Sequence, residues 1–286
     1  MNTETLPTLS DLISGTREIS SPPLIYNRLH EAINHPRTSV GDIARIISED
    51  PGLTTRVLKL ANSPLYGSRQ VDSINRAITL IGTKEIRDIS LCVSMICSFS
   101  TIPKEFFCLH NHWRHSIACG VLAKNIAIFL REPSAERFFV AGILHDVGQV
   151  VLCAAIPQIV ENIISISDSE NITLNEIENR ELGYDHAFFG AELLKSWNIP
   201  LNIHELVRFH HCPSQSNSHC RDATIVHLSD IIAQVFGYGS NAEKRVARLD
   251  NEAFEELDLS FDQCEMIISQ SEQQIDDIIA ILMVEL

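Results

Sequence analysis

The stretch AGILHDVGQVVL, residues 141–152, decides how the rest of the chain is read. It has the composition of a buried helix, yet His145 and Asp146 stand side by side within it. An imidazole and a carboxylate cost several kcal/mol to desolvate unless a partner satisfies them. They must either serve each other and the backbone or hold something that enters the fold. Consecutive helical positions lie about 100° apart, so both side chains can lean toward one point. Gly142 and Gly148 flank the pair where a neighbouring backbone could come close.

Working outward, the pattern is helical almost throughout. Apolar residues recur at intervals of three and four, as in VGDIARIIS (Ile43, Ile46, Ile47). Turn signals punctuate the chain at SPP (21), EDPG (49), NSPLYG (62), REPS (131), LGYD (182), NIP (198) and HCPSQSNS (211). We therefore expect an all-α protein, a multi-helix bundle of about a dozen helices with roughly 8 to 18 residues each. Asp50 before Pro51 makes a good helix start, and this local reading competes with a partner surface at DPGLTTRVLKLANSPLYG.

The 286 residues are 45% apolar and 21% charged, a globular composition with a net charge of −15. Residues 241–286 hold 12 acidic and 3 basic residues, so the end of the chain is strongly acidic. That balance argues against broad phosphate-backbone binding, and no basic patch with interleaved aromatics suggests nucleic acid. Glycine-rich phosphate loops are absent. The opening MNTETLPTLSDL does not read as a signal peptide, and the uncharged run 89–103 is short for a membrane span. A cytoplasmic chain without membrane insertion is expected, its eight scattered cysteines reduced.

Composition shifts near 101–110, and ten of the twelve histidines lie from His110 onward. We expect an N-terminal helical part (1–105), a histidine-rich helical part (106–240) and an acidic helical extension (241–286) packed on the body. In the extension, Ile275, Ile278, Ile279 and Leu282 form one stripe with Asp276 and Asp277 outside it. Separate predicted helices deliver His115, His145, Asp146, His186, His210, His211 and Asp230. Any one alone would be an ordinary core histidine or capping aspartate; Asp185, for instance, reads as the cap of HAFFGAELLKSW. Five imidazoles and two carboxylates together suit one or two divalent transition-metal ions (Fe, Mn, Zn or Ni). A minor alternative is a structural zinc on His211, Cys212, His219 and Cys220, whose spacing matches no standard knuckle.

These motifs resemble a known family. WRHS (113–116), HDVG (145–148) and the Asp of HLSD are similar to the HD superfamily of metal-dependent phosphohydrolases. His186 and the His210–His211 pair match the additional ligands of two-metal members such as HD-GYP domains. SEDPGLTTRVLKLANSPLYG (48–67), SINRAITLIG (73–82), DHAFFGAELLKSWNIP (185–200) and HH-x-P, in that order, resemble the HDOD family, the HD-related output domain. The resemblance covers roughly residues 5–240. It implies a bacterial regulatory module with a protein partner in a signalling pathway, and a homodimer is compatible with it. The alternative is an active phosphohydrolase acting on a nucleotide or cyclic nucleotide, with His145 and Asp146 at its centre. Arg114, Arg208 and Gln149 would then face the substrate. The pattern departs from HD-GYP domains at Gln149, where they usually carry a lysine, and at Cys212, which replaces the glutamate of their H-H-E. No G-Y-P motif is present. A glutamine cannot give a phosphate the charge-assisted contact of a lysine.

Overall fold

The computed structural model describes residues 9, 12–13, 22–67, 70–99, 107–238 and 245–283. Helices succeed one another without a strand among the described residues, as the apolar spacing predicts. The expected part boundaries at 105 and 240 lie outside the described residues, while one apolar core cluster draws on residues from Leu12 to Met283.

Local signals set the N-terminal helices. Helix α1 (Leu24–Asn34) begins after Pro23, and α2 (Val40–Ser48) starts on a capping box between Ser39 and Asp42. Helix α3 (Pro51–Ala61) begins as expected, with the Asp50 carboxylate accepting the Leu53 N–H and proline at the first position. Helices α4 (Ile74–Ile81) and α5 (Thr83–Ser98) complete this part.

The long helix α6 (Leu109–Phe129) is the axis around which the C-terminal helices gather. Its His115, Cys119, Leu122 and Ile126 are all buried. Helices α7 (Glu136–Leu144), α13 (Cys220–Val235) and α15 (Phe261–Leu282) pack against it. The contact with α7 is a backbone crossing. A Cβ on Gly142 would sit 2.6 Å from the Gly120 Cα, so only glycine fits. Helix α8 (Val147–Ala155) packs in the same way against α11 (His186–Ser196), where a Cβ on Gly148 would lie 2.1 Å from the His186 carbonyl oxygen. Both glycines flanking the His–Asp pair are therefore points of close approach.

One expectation needs correction. The chain does not run as one helix through 141–152. Helix α7 ends at Leu144 and α8 starts at Val147, with Asp146 at φ −102°, ψ 15° between them. The apolar pattern continues across the turn, which is why sequence alone hides it. The 20-residue stretch Glu136–Ala155 is apolar enough by composition to cross a membrane, yet 89% of its most apolar 18-residue window is buried within the protein.

Helices α9 (Pro157–Glu170), α10 (Leu174–Leu182), α12 (Leu201–Phe209) and the short α14 (Asn251–Glu255) complete the set. In α15 Ile275, Ile278 and Leu282 of the expected stripe are buried, and Ile279 is partly buried.

Candidate metal centre

All seven histidines and aspartates singled out by the sequence converge on one place. His115 comes from the middle of α6, and His145 and Asp146 from the α7–α8 turn. His186 opens α11, His210 and His211 come directly after α12, and Asp230 lies in α13. Asp185 caps α11 through the Phe188 N–H, fixing where His186 enters. The chain leaves α12 at His210, with Pro213 three residues on. Six of the seven residues are no more than 1% exposed, and His211 is partly exposed.

Two groups of ligand atoms face each other across Asp146. On one side His115 Nε2 lies 3.3 Å from His145 Nε2 and 3.0 Å from Asp230 Oδ1. On the other His186 Nε2 lies 2.8 Å from His211 Nε2. Asp146 spans them: Oδ2 is 3.2 Å from His145 Nε2, and Oδ1 is 3.1 Å from His186 Nε2 and 3.6 Å from His210 Nε2. Among the described residues, three overlapping sets bring one ligand atom per residue within 4.8 Å of each other: His186, His210 and His211; His115, His145 and Asp146; His145, His210 and Asp230. Bonds of about 2.0–2.2 Å from one first-row ion place its ligand atoms about 3–3.5 Å apart.

Hydrogen bonds behind the rings fix which nitrogen faces inward. Nδ1 of His145 donates to the Gly142 carbonyl at 2.7 Å, and Nδ1 of His210 to the Val207 carbonyl at 2.7 Å. Nδ1 of His186 donates to the Glu178 carboxylate at 2.5 Å. A neutral imidazole that donates at Nδ1 presents a lone pair at Nε2. Three such lone pairs therefore point at the carboxylate oxygens of Asp146. The buried Asp230 Oδ2 and His210 Nε2 make no hydrogen bond. Converging acceptors of this kind require positive charge between them.

The electrostatics express the same demand. Burial works against a charged His145, but the Asp146 carboxylate and the Cys119 thiol outweigh it and raise its pKa well above the usual imidazole value. Burial likewise opposes charge on His186, where Glu178 and Asp146 prevail and raise it. Burial pushes His210 down to about 4 and His211 well below the ordinary value, helped by neighbouring histidines. Burial would raise the Asp146 pKa, but the His145 and His186 rings hold it well below the usual carboxylate range. These donors fit a divalent cation.

The three residues expected to face a substrate separate. The buried Gln149 amide nitrogen lies 3.3 Å from His186 Nε2. Arg208 pairs with Glu192 at 3.2 Å, lies over the Phe188 ring, and lines a cavity of about 650 Å³ together with His211 and Tyr184. Arg114 instead lies over Tyr238, 5.9 Å from the ring centroid, and does not line that cavity. Cys212, His219 and Cys220 join no metal-ligating set among the described residues, so the minor zinc alternative gains no support there.

Sequence reading missed Glu178. It sits in the polar helix LNEIENREL, and only the fold brings it behind His186. It also missed His227, which donates Nδ1–H to the His210 carbonyl at 2.7 Å and accepts the Asp250 N–H at 3.0 Å. That pair ties the acidic extension to a ligand-bearing turn. His112 was missed too. It is wholly buried one turn before His115, and neither ring nitrogen has a hydrogen-bond partner.

Comparison with known proteins agrees with this architecture. The model of the HDOD domain matches residues 19–213, and the chain belongs to that family. A Geobacter sulfurreducens HDOD domain protein of unknown function shares the fold, with a TM-score of 0.73, 24% identity and 96% of each chain covered. A Shewanella amazonensis protein provisionally named a phosphohydrolase shares it at a TM-score of 0.75 and 22% identity, covering 96% of this chain and 98% of that one. An uncharacterized protein of Treponema pallidum (strain Nichols) is 25% identical over 213 residues, 74% of this chain. The match spans only 41% of that longer relative.

Proposed function

We propose that this chain is a regulatory HDOD module of bacterial signal transduction that has kept an HD-type metal centre. His115, His145, Asp146, His186, His210, His211 and Asp230 hold one or two divalent transition-metal ions (Fe, Mn, Zn or Ni), with Asp146 shared between the two groups. One observation carries the metal reading. Three imidazoles are locked by their Nδ1 hydrogen bonds so that their Nε2 lone pairs meet a buried carboxylate. Bound ions would supply Lewis acidity and lower the pKa of coordinated water.

The regulatory reading rests on what surrounds the donors. Gln149 brings a neutral amide where a phosphate-cleaving site gains from a cation. A phosphohydrolase acting on a nucleotide or cyclic nucleotide is the second reading. The cavity beside His211 favours it, because Arg208 lines that cavity and could receive an anion. We assign the chain to the cytoplasm with a protein partner, and its three parts to residues 1–105, 106–240 and 241–286.

Elemental analysis of the purified chain, combined with assay on phosphodiesters and cyclic dinucleotides with Mn²⁺ or Fe²⁺, separates the readings. We expect bound metal and no turnover. Turnover that vanishes in Asp146→Ala would replace the regulatory reading with the hydrolase. A folded chain that takes up no metal would end both.

A further inference from the structure

A groove runs between α13 and α15, away from the ligand atoms. Leu228, Ile231 and Ile232 of α13 form one wall, and Phe261, Cys264 and Ile268 of α15 the other. Phe254 closes one side, and the cavity holds about 650 Å³. Its mouth is unusually apolar for a protein surface. Phe261 is 82% exposed, and Phe236, which also lines the groove, is 51% exposed. Exposed aromatic side chains around one apolar groove mark an interaction site.

The charged side chains that line the groove have one sign. Besides Cys264, only Glu265 and Glu272 line the groove, and neither makes an ion pair among the described residues. They stand seven residues apart on α15, about 10 Å along the helix. The surrounding extension is itself strongly acidic.

We propose that this groove docks an amphipathic helix of a partner protein, with apolar residues in the groove and lysine or arginine against Glu265 and Glu272. A groove walled by apolar residues of two helices suits an amphipathic helix laid in it. Charge argues against the other occupants. A second copy would bring its own acidic extension to an acidic rim. The chain's residues 239–244, GSNAEK, contain no large apolar side chain. Residues 1–21 carry three acidic residues and one basic residue, the wrong sign for this rim. The α13 wall gives docking a route to the metal centre, because Asp230 is the neighbour of Ile231. The docking surface itself does not depend on metal being bound.

The probe is a synthetic 18-residue helical peptide of leucine and lysine with an i, i+3, i+4 apolar stripe, against the same peptide with glutamate for lysine. Cys264 lines the groove and Cys212 does not, so alkylation of each thiol, read by mass spectrometry on the full chain, reports where the peptide sits. We expect the lysine peptide to slow Cys264 and leave Cys212 unchanged. Glu265→Lys with Glu272→Lys should weaken binding about tenfold, the scale of two rim ion pairs. Phe261→Ser, at a side chain too exposed to unfold the protein, should weaken it by at least as much. Equal protection of both thiols, equal binding of the two peptides, or indifference to Phe261→Ser would overturn the proposal. A solution dimer dispersed by Phe261→Ser would overturn it in favour of a second copy.

Discussion

Glu178 and His186 are joined twice: Oε2 accepts the His186 Nδ1–H at 2.5 Å and the His186 main-chain N–H at 2.8 Å. This fixes both the ring plane and the tautomer of a residue whose Nε2 faces Asp146. Glu178→Gln keeps the shape but can present an NH₂ to Nδ1, moving the imidazole proton to Nε2. The outer partners of ligand histidines are worth about 10–100-fold in metal affinity. Competition titration with a chromophoric chelator should show a loss of that size for Glu178→Gln, with the helical circular dichroism unchanged. Wild-type affinity in the variant would remove Glu178 from the site.

Metal should also stabilise the fold. An ion that binds only the native state at about a thousand times its Kd contributes about 4 kcal/mol. At about 2–4 °C per kcal/mol for a chain of this size, that is a rise in Tm of about 10 °C. Mn²⁺ or Zn²⁺ should produce it in differential scanning fluorimetry, chelator should reverse it, and Asp146→Ala should abolish it. A shift that survives in Asp146→Ala would place the ion elsewhere.

His145 and Asp146 were legible because a polar pair inside an apolar run has to be explained. The caps at Asp50 and Asp185 were legible because capping is local. The break at 145–146 was not, since neither glycine nor proline marks it and the apolar pattern runs on. Glu178 was hidden because its role depends on two helices meeting, and its own helix is polar enough to read as solvated. Arg114 is next to His115 in the chain, but adjacent helical residues point about 100° apart, and its side chain lies over Tyr238.

His112 sets a pH dependence. Burial, outweighing the attraction of Asp146, pushes its pKa down to about 3. The folded state keeps the ring neutral while the unfolded chain takes up a proton near pH 6.5. Below pH 6.5 the unfolded state therefore binds more protons, and stability falls as pH drops toward 3. One such histidine contributes a slope of about 1.4 kcal/mol per pH unit. Urea denaturation between pH 4.5 and 7.5, with chelator present, should show a shallower acid limb in His112→Leu. That variant also removes two buried nitrogens without partners, so it should be at least as stable as the parent at pH 7. An unchanged acid limb would show that His112 is hydrated.

Gly148 is where packing and site depend on the same atom. An added Cβ would lie 2.1 Å from the His186 carbonyl oxygen and 3.0 Å from the Gly190 nitrogen, both backbone atoms that cannot rotate away. Gly148→Ala must push α8 and α11 apart, and overpacking of that kind costs about 1–3 kcal/mol or more. Because Asp146 precedes α8 and His186 opens α11, the same displacement separates the two groups of ligand atoms. Gly41→Ala is the control. Its Cβ would meet only the Ser39 hydroxyl at 3.6 Å, and alanine is favoured over glycine in a helix by about 0.5–1 kcal/mol. Urea denaturation should therefore show Gly148→Ala destabilised and Gly41→Ala unchanged or stabilised. Metal titration should show weakened binding in Gly148→Ala alone. If Gly148→Ala keeps both parental stability and parental metal affinity, the close approach of α8 and α11 is not what holds Asp146 against His186.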